Sequence, residues 1–361
     1  MVPSRHPGTT GVFRVRGLQE IHVTRQENGR GLSLVSAFVI LSVLWFAAPH
    51  ASQEGANEGF ILFTSDWANP SRDPRCSDCE DIYAMSPDGS NPTRLTQGGA
   101  DRVVGRAPYN NTGADWSHSK KLIAFHTNRG GFPEIFLMNA DGSDQLVLAS
   151  LGAAGAVFPS FSHSGNELCF NSQVGPRDIY IVNIHGTGLT NLTNQTGDNL
   201  RCDWSPKSNS IAFGSTRDGN EEIYVINADG SDVVRLTGNL LAGQDPAPGA
   251  DANPAWSPKG DRIAFESNRH APLLIPANPE IYVMDADGTN PVRLTFFAGQ
   301  DTKPTWSPTG DRIAFQRRIA GHLQIFTMNP DGSDQQPITE TIPPEFFFSG
   351  FPSWGKWSAI R

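Results

Sequence analysis

The chain has 361 residues, of which 36 are Gly and 27 are Pro, and its formal net charge at pH 7 is −9. An acidic surface repels phosphate backbones, so this charge argues against nucleic acid as a partner. The Gly and Pro residues fall at recurrent turn positions, which argues against a low-complexity chain and predicts many short elements joined by turns.

The first 51 residues differ in composition from the rest. The run from Leu32 to Ala48 is almost wholly apolar, follows five arginines and precedes small residues such as Ala51. This order is typical of an export signal. Pro49 interrupts the expected cleavage pattern, so a retained membrane anchor is the alternative, although the run is slightly shorter than the ~20 residues of a spanning helix. Either interpretation places residues 52–361 outside the cytoplasm, in the periplasm or another extracytoplasmic space.

Cleavage would make the exported part more acidic. Residues 1–51 hold five Arg and two Glu, so 23 basic and 35 acidic side chains would remain, a net charge of −12.

From Phe60 onward, short β-type runs recur in a fixed order. Phe60–Phe63, Asp81–Met85 and Thr93–Thr96 supply a second, third and fourth strand, but no Pro-x-Trp strand precedes them. Five complete units of four strands follow. One complete unit runs from Asp251 to Thr295, and its first two strands contain Pro254-Ala255-Trp256 and Ile263-Ala264-Phe265. Continuous apolar triplets of this kind predict strands that are buried on both faces.

The aromatic residue that ends the first strand recurs about every 40 to 50 residues, a period that predicts β-propeller blades. Its positions are Trp116, Phe161, Trp204, Trp256, Trp306 and Trp354. Since Phe351–Trp354 supplies the strand that the first unit lacks, we predict an all-β fold. It is a six-bladed β-propeller of four-stranded antiparallel blades, closed by a C-terminal strand that completes the first blade.

These motifs also carry a family resemblance. The repeated Pro-x-Trp-Ser-Pro-x-Gly, Ile-Ala-Phe, Asp-Gly and Arg-Leu-Thr resemble the TolB-like propeller family over roughly residues 58–357. The resemblance implies a periplasmic propeller. Periplasmic TolB has an α/β domain before its propeller, and we expect no room for one before Phe60. The predicted domains are therefore residues 1–51, a signal peptide or anchor, and residues 52–361, a single TolB-like propeller.

Long connections are expected on one face of the ring, which makes that face the candidate binding surface. Leu273-Leu274-Ile275 is an apolar run between prolines in one such loop. It is either an anchor for a protein partner or a cap on its own blade. Asp251 and Asp301 begin inner strands on this face and are predicted to bind a partner or cation; the alternative is pairing with Arg residues between blades.

The four cysteines fall into two groups. Cys76 and Cys79 form a Cys-x-x-Cys in a polar insertion, for which we predict a disulfide outside the cytoplasm, with zinc or redox chemistry as the alternatives. Cys169 replaces the Ala of Ile-Ala-Phe, and Cys202 replaces the Pro of Pro-x-Trp. Both are predicted to be small buried packing residues that remain reduced.

No Gly-x-Ser-x-Gly elbow, phosphate loop, HExxH motif or dinucleotide fingerprint occurs in the sequence. We therefore predict a non-catalytic, monomeric module that binds an envelope protein, a peptide or a glycan, with no cofactor, no metal, no nucleic acid and no membrane contact beyond an N-terminal anchor. The alternative is an enzyme with its site in the channel, such as a metal-dependent oligosaccharide lyase or hydrolase.

Overall fold

The structure is a computed structural model. It describes residues 59–66, 80–97, 109–194, 197–238, 249–270, 278–339 and 349–355. Within these ranges 24 strands form six four-stranded antiparallel sheets, and the one helical element is a 3-10 turn at Gly152–Ala154. No helix in the described ranges has the length and apolar character needed to cross a membrane.

Each sheet is one blade, with an inner strand, two middle strands and a short outer strand. The inner strands are β24 (Ser349–Gly355), β4 (Asn111–Trp116), β8 (Ala156–Phe161), β12 (Asn199–Trp204), β16 (Asp251–Trp256) and β20 (Asp301–Trp306). The second strands are β1 (Phe60–Ser65), β5 (Leu122–Thr127), β9 (Glu167–Ser172), β13 (Ser210–Ser215), β17 (Arg262–Ser267) and β21 (Ile313–Ile319). The third strands are β2 (Asp81–Met85), β6 (Glu134–Asn139), β10 (Ile179–Asn183), β14 (Glu222–Asn227), β18 (Glu280–Asp285) and β22 (His322–Met328). The outer strands are β3 (Thr93–Arg94), β7 (Leu146–Ser150), β11 (Thr190–Asn191), β15 (Val234–Arg235), β19 (Val292–Arg293) and β23 (Gln336–Pro337).

The ring closes through the first blade, as predicted. Its strand order is β24-β1-β2-β3, with Ile61 opposite Trp354 and Phe60 opposite Gly355. Inner strands of neighbouring blades contact one another around the whole ring, including β24 with both β4 and β20. A ring of blades that closes in this way packs every blade between two neighbours.

Blade-to-blade packing explains the recurrent apolar residues. The last residue of the Ile-Ala-Phe triplet is fully buried in every blade, at Phe63, Phe125, Phe170, Phe213, Phe265 and Phe315. The aromatic residue that ends the inner strand packs on the preceding blade, as where Trp116 meets Phe60 edge-on with ring centroids 5.0 Å apart.

The Arg-Leu-Thr motif is explained by one buried carboxylate at the start of the third strand. The hydroxyl of Thr96 accepts the Ile82 N–H at 2.9 Å and donates to Asp81 at 2.7 Å. Arg94 forms an ion pair with the same carboxylate. Thr295, Glu280 and Arg293 repeat this arrangement. The motif therefore ties the short outer strand to the blade through polar contacts as well as through its buried Leu.

Candidate functional site in the axial channel

Each inner strand contains a β-bulge that turns one residue toward the axis. The third residue of every inner strand has a left-handed backbone, with φ between 51° and 59°. These residues, here called the bulge residues, are Gly113, Phe158, Arg201, Asn253, Lys303 and Phe351. The pairing with the second strand shifts register at this point in all six blades. Five of the six carry side chains, although a left-handed backbone costs such a residue about 1–2 kcal/mol.

The bulge residues line one cavity of about 140 Å³, with one residue from each blade, so the cavity is an axial channel. The fifth residues of the inner strands form the next ring: Asp115, Ser160, Asp203, Ala255, Thr305 and Ser353. Beyond it lies a wider cavity of about 350 Å³, lined by the six strand-ending aromatics together with His118, His163 and prolines of the tight turns. Because the inner strands end there, this wider cavity opens on the tight-turn face, and the bulges lie nearer the face with the long loops.

Two cations and two aromatic rings form the centre of the channel. The rings of Phe158 and Phe351 stack with centroids 5.5 Å apart. The guanidinium carbon of Arg201 lies 3.1 Å from the Phe158 centroid, and the ammonium of Lys303 lies 3.5 Å from that of Phe351. Attraction between a cation and a ring face holds both charged groups in position.

Side chains of the second strands hold the backbone of the bulges. Asn171 accepts the backbone N–H of Arg201 at 3.2 Å, and Glu266 accepts that of Lys303 at 2.9 Å. In each case the acceptor belongs to the preceding blade, so the interface between blades helps to fix the bulge. A buried N–H needs such a partner.

The residue equivalent to Glu266 in the fourth blade is Gly214, and its missing side chain leaves room for Glu221. A Cβ on Gly214 would lie 2.5 Å from the Glu221 Oε1. Burial and the charge of Glu266 raise the pKa of Glu221 to about 7. Burial, offset in part by hydrogen bonds and nearby cations, also raises the pKa of Glu266. Burial therefore favours the protonated form of both carboxyls, and Glu221 takes up a proton close to neutral pH.

The basic groups of the channel are shifted in the opposite direction. Burial, followed by the charges of Arg201 and Lys303, lowers the pKa of His126 to about 3, so its imidazole is neutral. Burial lowers the pKa of Arg201 to about 9. Burial and then repulsion from Arg201 hold the pKa of Lys303 well below its usual value. Burial in the channel therefore disfavours the charged form of each of these side chains, as it does at many functional sites.

Two carboxylates lie in the ring below the bulges. Asp115 accepts the Phe161 N–H at 2.8 Å, and Asp203 accepts the Trp256 N–H at 2.6 Å, each from the following blade. Burial raises the pKa of Asp115 to about 6. Burial raises that of Asp203 to about 7, with a smaller contribution from the charge of Asp115.

We expect Asp203→Asn to stabilise the protein at pH 8 by about 1–3 kcal/mol and to have little effect near pH 4. The folded-state pKa of Asp203 lies above its ordinary value of 3.8. Its stabilising contribution is therefore complete below pH 4 and is lost as the pH rises through about 7. Urea unfolding from pH 4 to pH 8 measures the effect, with the exposed turn variant Asp229→Asn as the control. A variant less stable than the parent at pH 8 would contradict it.

The predicted site residues Asp251 and Asp301 are buried and ion-paired. Arg269 pairs with Asp251, and Arg317 donates to both carboxylate oxygens of Asp301 at 2.7 and 2.6 Å. Each pair lies within one blade, so the alternative of pairing between blades is wrong. A role for these carboxylates in partner or cation binding stays a prediction.

The prediction that Cys169 and Cys202 remain reduced is wrong, because they form a disulfide with their Cα atoms 6.2 Å apart. Cys169 lies on β9 of the third blade and Cys202 on β12 of the fourth, where the Ala and Pro positions of the repeat face each other across the blade boundary. Cys76, Cys79 and the run Leu273-Leu274-Ile275 lie outside the described residues. Their disulfide and binding roles stay predictions.

The bulge residues were missed at the sequence level, although a signal for them exists. In most blades they come directly before the Pro of Pro-x-Trp, at a position that varies from one unit to the next. Repeats in a sequence are recognised from the positions at which the same residues recur. The charged and aromatic residues of the channel occupy a position that does not.

Fold and channel together define a closed six-bladed β-propeller whose axial residues differ from blade to blade. The family model for the TolB beta propeller domain matches residues 145–247 and 242–343, more than half of the chain. The chain belongs to this family, which confirms the resemblance seen in the repeats.

The curated relatives are matched by this chain over only part of their length. Over 214 residues the chain is 32% identical to a "Protein TolB homolog" of Chlorobium luteolum, covering 58% of this chain and 45% of that protein. A second TolB homolog, from Chlorobium chlorochromatii, is 31% identical over 147 residues, 41% of this chain and 31% of that protein. The chain thus spans less than half the length of these two relatives.

Solved structures share the fold. The crystal structure of TolB from Acinetobacter baumannii superposes with a TM-score of 0.66 at 20% identity, covering 84% of this chain and 68% of that one. A putative TolB from Agrobacterium tumefaciens gives a TM-score of 0.54 at 19% identity, covering 79% of this chain and 89% of that one.

Proposed function

We propose that the propeller is a non-catalytic interaction module outside the cytoplasm, and that it receives a segment of an envelope protein or peptide in its axial channel. The observation that carries the proposal is the set of bulge residues. Five side chains, two of them phenylalanines, are held at left-handed positions and turned toward the axis. Strained backbone positions persist where function requires them.

The long-loop face is the proposed side of approach. Strand direction places the ends of the connections between blades at this face, and the bulges lie nearer to it than to the tight-turn face. Loops carried on a rigid scaffold are where binding residues concentrate. A segment that enters from this side would meet the bulge residues first.

The disulfide supports the proposed compartment. Cys169 and Cys202 are joined across a blade boundary, and structural disulfides persist in oxidising compartments such as the periplasm. The apolar run of residues 32–48 in the sequence points to the same export route.

The apolar loop Leu273-Leu274-Ile275 is proposed as an anchor for the partner on the same face. Buried apolar anchors contribute about 2 kcal/mol or more, roughly thirtyfold in affinity. We expect Leu273→Ser with Ile275→Ser to reduce capture of the partner without lowering the melting temperature. A lower melting temperature with capture intact would show that the loop packs on its own blade.

Capture in the native envelope tests the proposed function. The full chain, with a C-terminal affinity tag, is crosslinked in cells, captured, and its partners are identified by mass spectrometry. We expect a partner that the parent protein captures and that a Phe158→Ser variant loses. The matched variant Phe132→Ser removes the same side chain from an exposed position outside the channel, and it should capture the partner normally. Equal capture by both variants contradicts a channel site.

A channel enzyme is the second candidate, because Glu221 and Asp203 have pKa values of about 7, which suits acid-base chemistry. In the described residues no group of three or more His, Cys, Asp or Glu side chains is placed to hold a metal ion. Turnover of an oligosaccharide by the parent protein, lost in Glu221→Gln, would favour the enzyme.

A further inference from the structure

Arg201 and Lys303 form no direct ion pair within the part of the chain that the structure describes, unlike several other arginines of the propeller. Among the described residues, the side chains of both make only cation–π contacts, with no hydrogen bond and no carboxylate within ion-pair distance. By contrast, Arg94, Arg269 and Arg317 each pair with an aspartate. Removing a charge from water is costly unless that charge is paired, so two unpaired cations at one depth need an explanation.

The two cations also repel each other. Of the charged groups that act on Lys303, Arg201 has the largest effect, and it disfavours the charged ammonium. Glu266 attracts both cations and Glu221 attracts Arg201, which opposes this repulsion. An anion bound between the two cations would relieve the repulsion further.

The nearby carboxylates act on the two cations through space. Glu266 uses Oε2 to accept the Lys303 backbone N–H, and Glu221 lies in the space beside Gly214. Among the contacts of the described residues, neither carboxylate forms an ion pair with Arg201 or Lys303. Glu80 also attracts Lys303, and Arg318 repels it. The ring nitrogens of His126 contact Thr112 and Phe158.

We propose that Arg201 and Lys303 bind a carboxylate carried by a peptide segment, either an acidic side chain or the C-terminal carboxylate, where that segment enters the channel. This inference rests on the proposed function. The guanidinium can donate two parallel hydrogen bonds to a carboxylate, while the ammonium adds a point charge. The rings of Phe158 and Phe351 already hold both cations, which lowers the entropy lost on binding.

The recess at the bulge ring has a volume of about 140 Å³ and is continuous with the wider cavity of the channel. It has room for a carboxylate with the carbon atoms next to it. We commit to a peptide as the carrier because the proposed function is the capture of a protein segment, and binding of an acidic oligosaccharide is one outcome of the test.

Short capped peptides test the inference with the purified full chain. The probes are acetyl-Gly-Gly-Glu-amide, acetyl-Gly-Gly-Gly with a free C-terminal carboxylate, and the neutral acetyl-Gly-Gly-Gln-amide; inorganic phosphate and digalacturonate are measured in parallel. We expect one or both acidic peptides to bind, and the neutral peptide to bind about tenfold more weakly or worse. The stronger of the two acidic peptides identifies the source of the carboxylate.

Matched variants assign the site. Arg201→Gln with Lys303→Gln should weaken acidic-peptide binding by about tenfold or more. Lys120→Gln with Lys259→Gln removes the same charge from exposed tight turns and should leave binding unchanged. If the channel double variant does not fold, Lys303→Gln alone makes the same comparison with Lys259→Gln.

Proton uptake gives a readout that a structural role would not move. A bound carboxylate stabilises the ammonium of Lys303, whose pKa is held low in the free channel. Binding should therefore take up protons at pH values where Lys303 is partly deprotonated in the free protein, detected by calorimetry over a pH series in two buffers of different ionisation enthalpy. Lys303→Arg should keep the affinity and lose the uptake.

Several outcomes would overturn the inference. These are equal binding of neutral and acidic peptides, no effect of the channel substitutions, or binding of phosphate or digalacturonate while both acidic peptides fail. Unchanged capture of the envelope partner by the channel double variant would also overturn it, while leaving the proposed function intact. A parent protein that captures no partner would instead refute the proposed function.

Discussion

Deleting residues 345–361, and with them β24, should destabilise the propeller by about 5 kcal/mol or more and promote association. Every residue of β1 (Phe60–Ser65) is buried, and β24 covers one edge of that strand. Removal also deletes Trp354, which is 4% exposed. Loss of a buried Trp alone costs about 3–5 kcal/mol, and the total stability of a domain is only about 5–15 kcal/mol.

The association follows from the edge that the deletion exposes. Without β24, the N–H and C=O groups of β1 that paired with it face solvent, and an unpaired apolar strand recruits other chains. Urea unfolding and size-exclusion chromatography measure the two effects. Deleting only residues 356–361 keeps β24 and serves as the control. A protein lacking 345–361 that unfolds like the parent and stays monomeric would contradict this account of ring closure.

The fold could be predicted because the residues that pack the blades repeat. Ile263-Ala264-Phe265 and Ile313-Ala314-Phe315 occupy equivalent buried positions, and both triplets are fully buried. Stacking each blade on the next requires the same apolar residues at the same places, so every unit restates the constraint. The closing strand followed from the single Pro-x-Trp strand left over at the C-terminus.

The channel could not be predicted in the same way. Of the six bulge residues, Gly113 is the one glycine, so the left-handed backbone has no common residue to mark it. The geometry comes from the register shift between the inner and second strands, which is a property of the pairing. Side chains such as Arg201 and Lys303 meet only because ring closure brings distant units to one axis.

The ion pair of Asp251 with Arg269 could be predicted from the sequence only in part. Asp251 lies directly opposite Ser267 in the antiparallel register, and Arg269 comes two residues after Ser267, just beyond the end of that strand. Pairing within the blade therefore follows from the register. Choosing it over pairing between blades requires that register to be known, and the sequence motifs alone leave it open.

The disulfide between Cys169 and Cys202 could not be predicted for a related reason. Cys169 and Cys202 each replace a small apolar residue of the repeat, and each unit considered alone predicts a packing role. The disulfide depends on which position of one blade faces which position of the next. The two replacements occur in consecutive blades, a coincidence that the contact across the blade boundary explains.

Replacing both cysteines, as Cys169→Ala with Cys202→Ala, should lower the free energy of unfolding by about 3–4 kcal/mol. The bridge spans 33 residues of sequence, and in the chain-entropy account its main effect is to restrict the unfolded chain. For a domain of this size the melting temperature should fall by roughly 5 °C. The disulfide joins the third blade to the fourth. Its loss should therefore also make the placement of Arg201, which directly precedes Cys202, less fixed.

Urea unfolding with and without reductant measures this contribution, in a background where Cys76 and Cys79 are both replaced by Ala so that only one pair can respond. In that background the parent should lose about as much stability on reduction as it loses by substitution, because both changes release the same constraint on the unfolded chain. The double variant should then be insensitive to reductant. Alkylation of the unreduced, denatured protein followed by mass spectrometry should find Cys169 and Cys202 unlabelled, and their labelling would show that the bridge is absent.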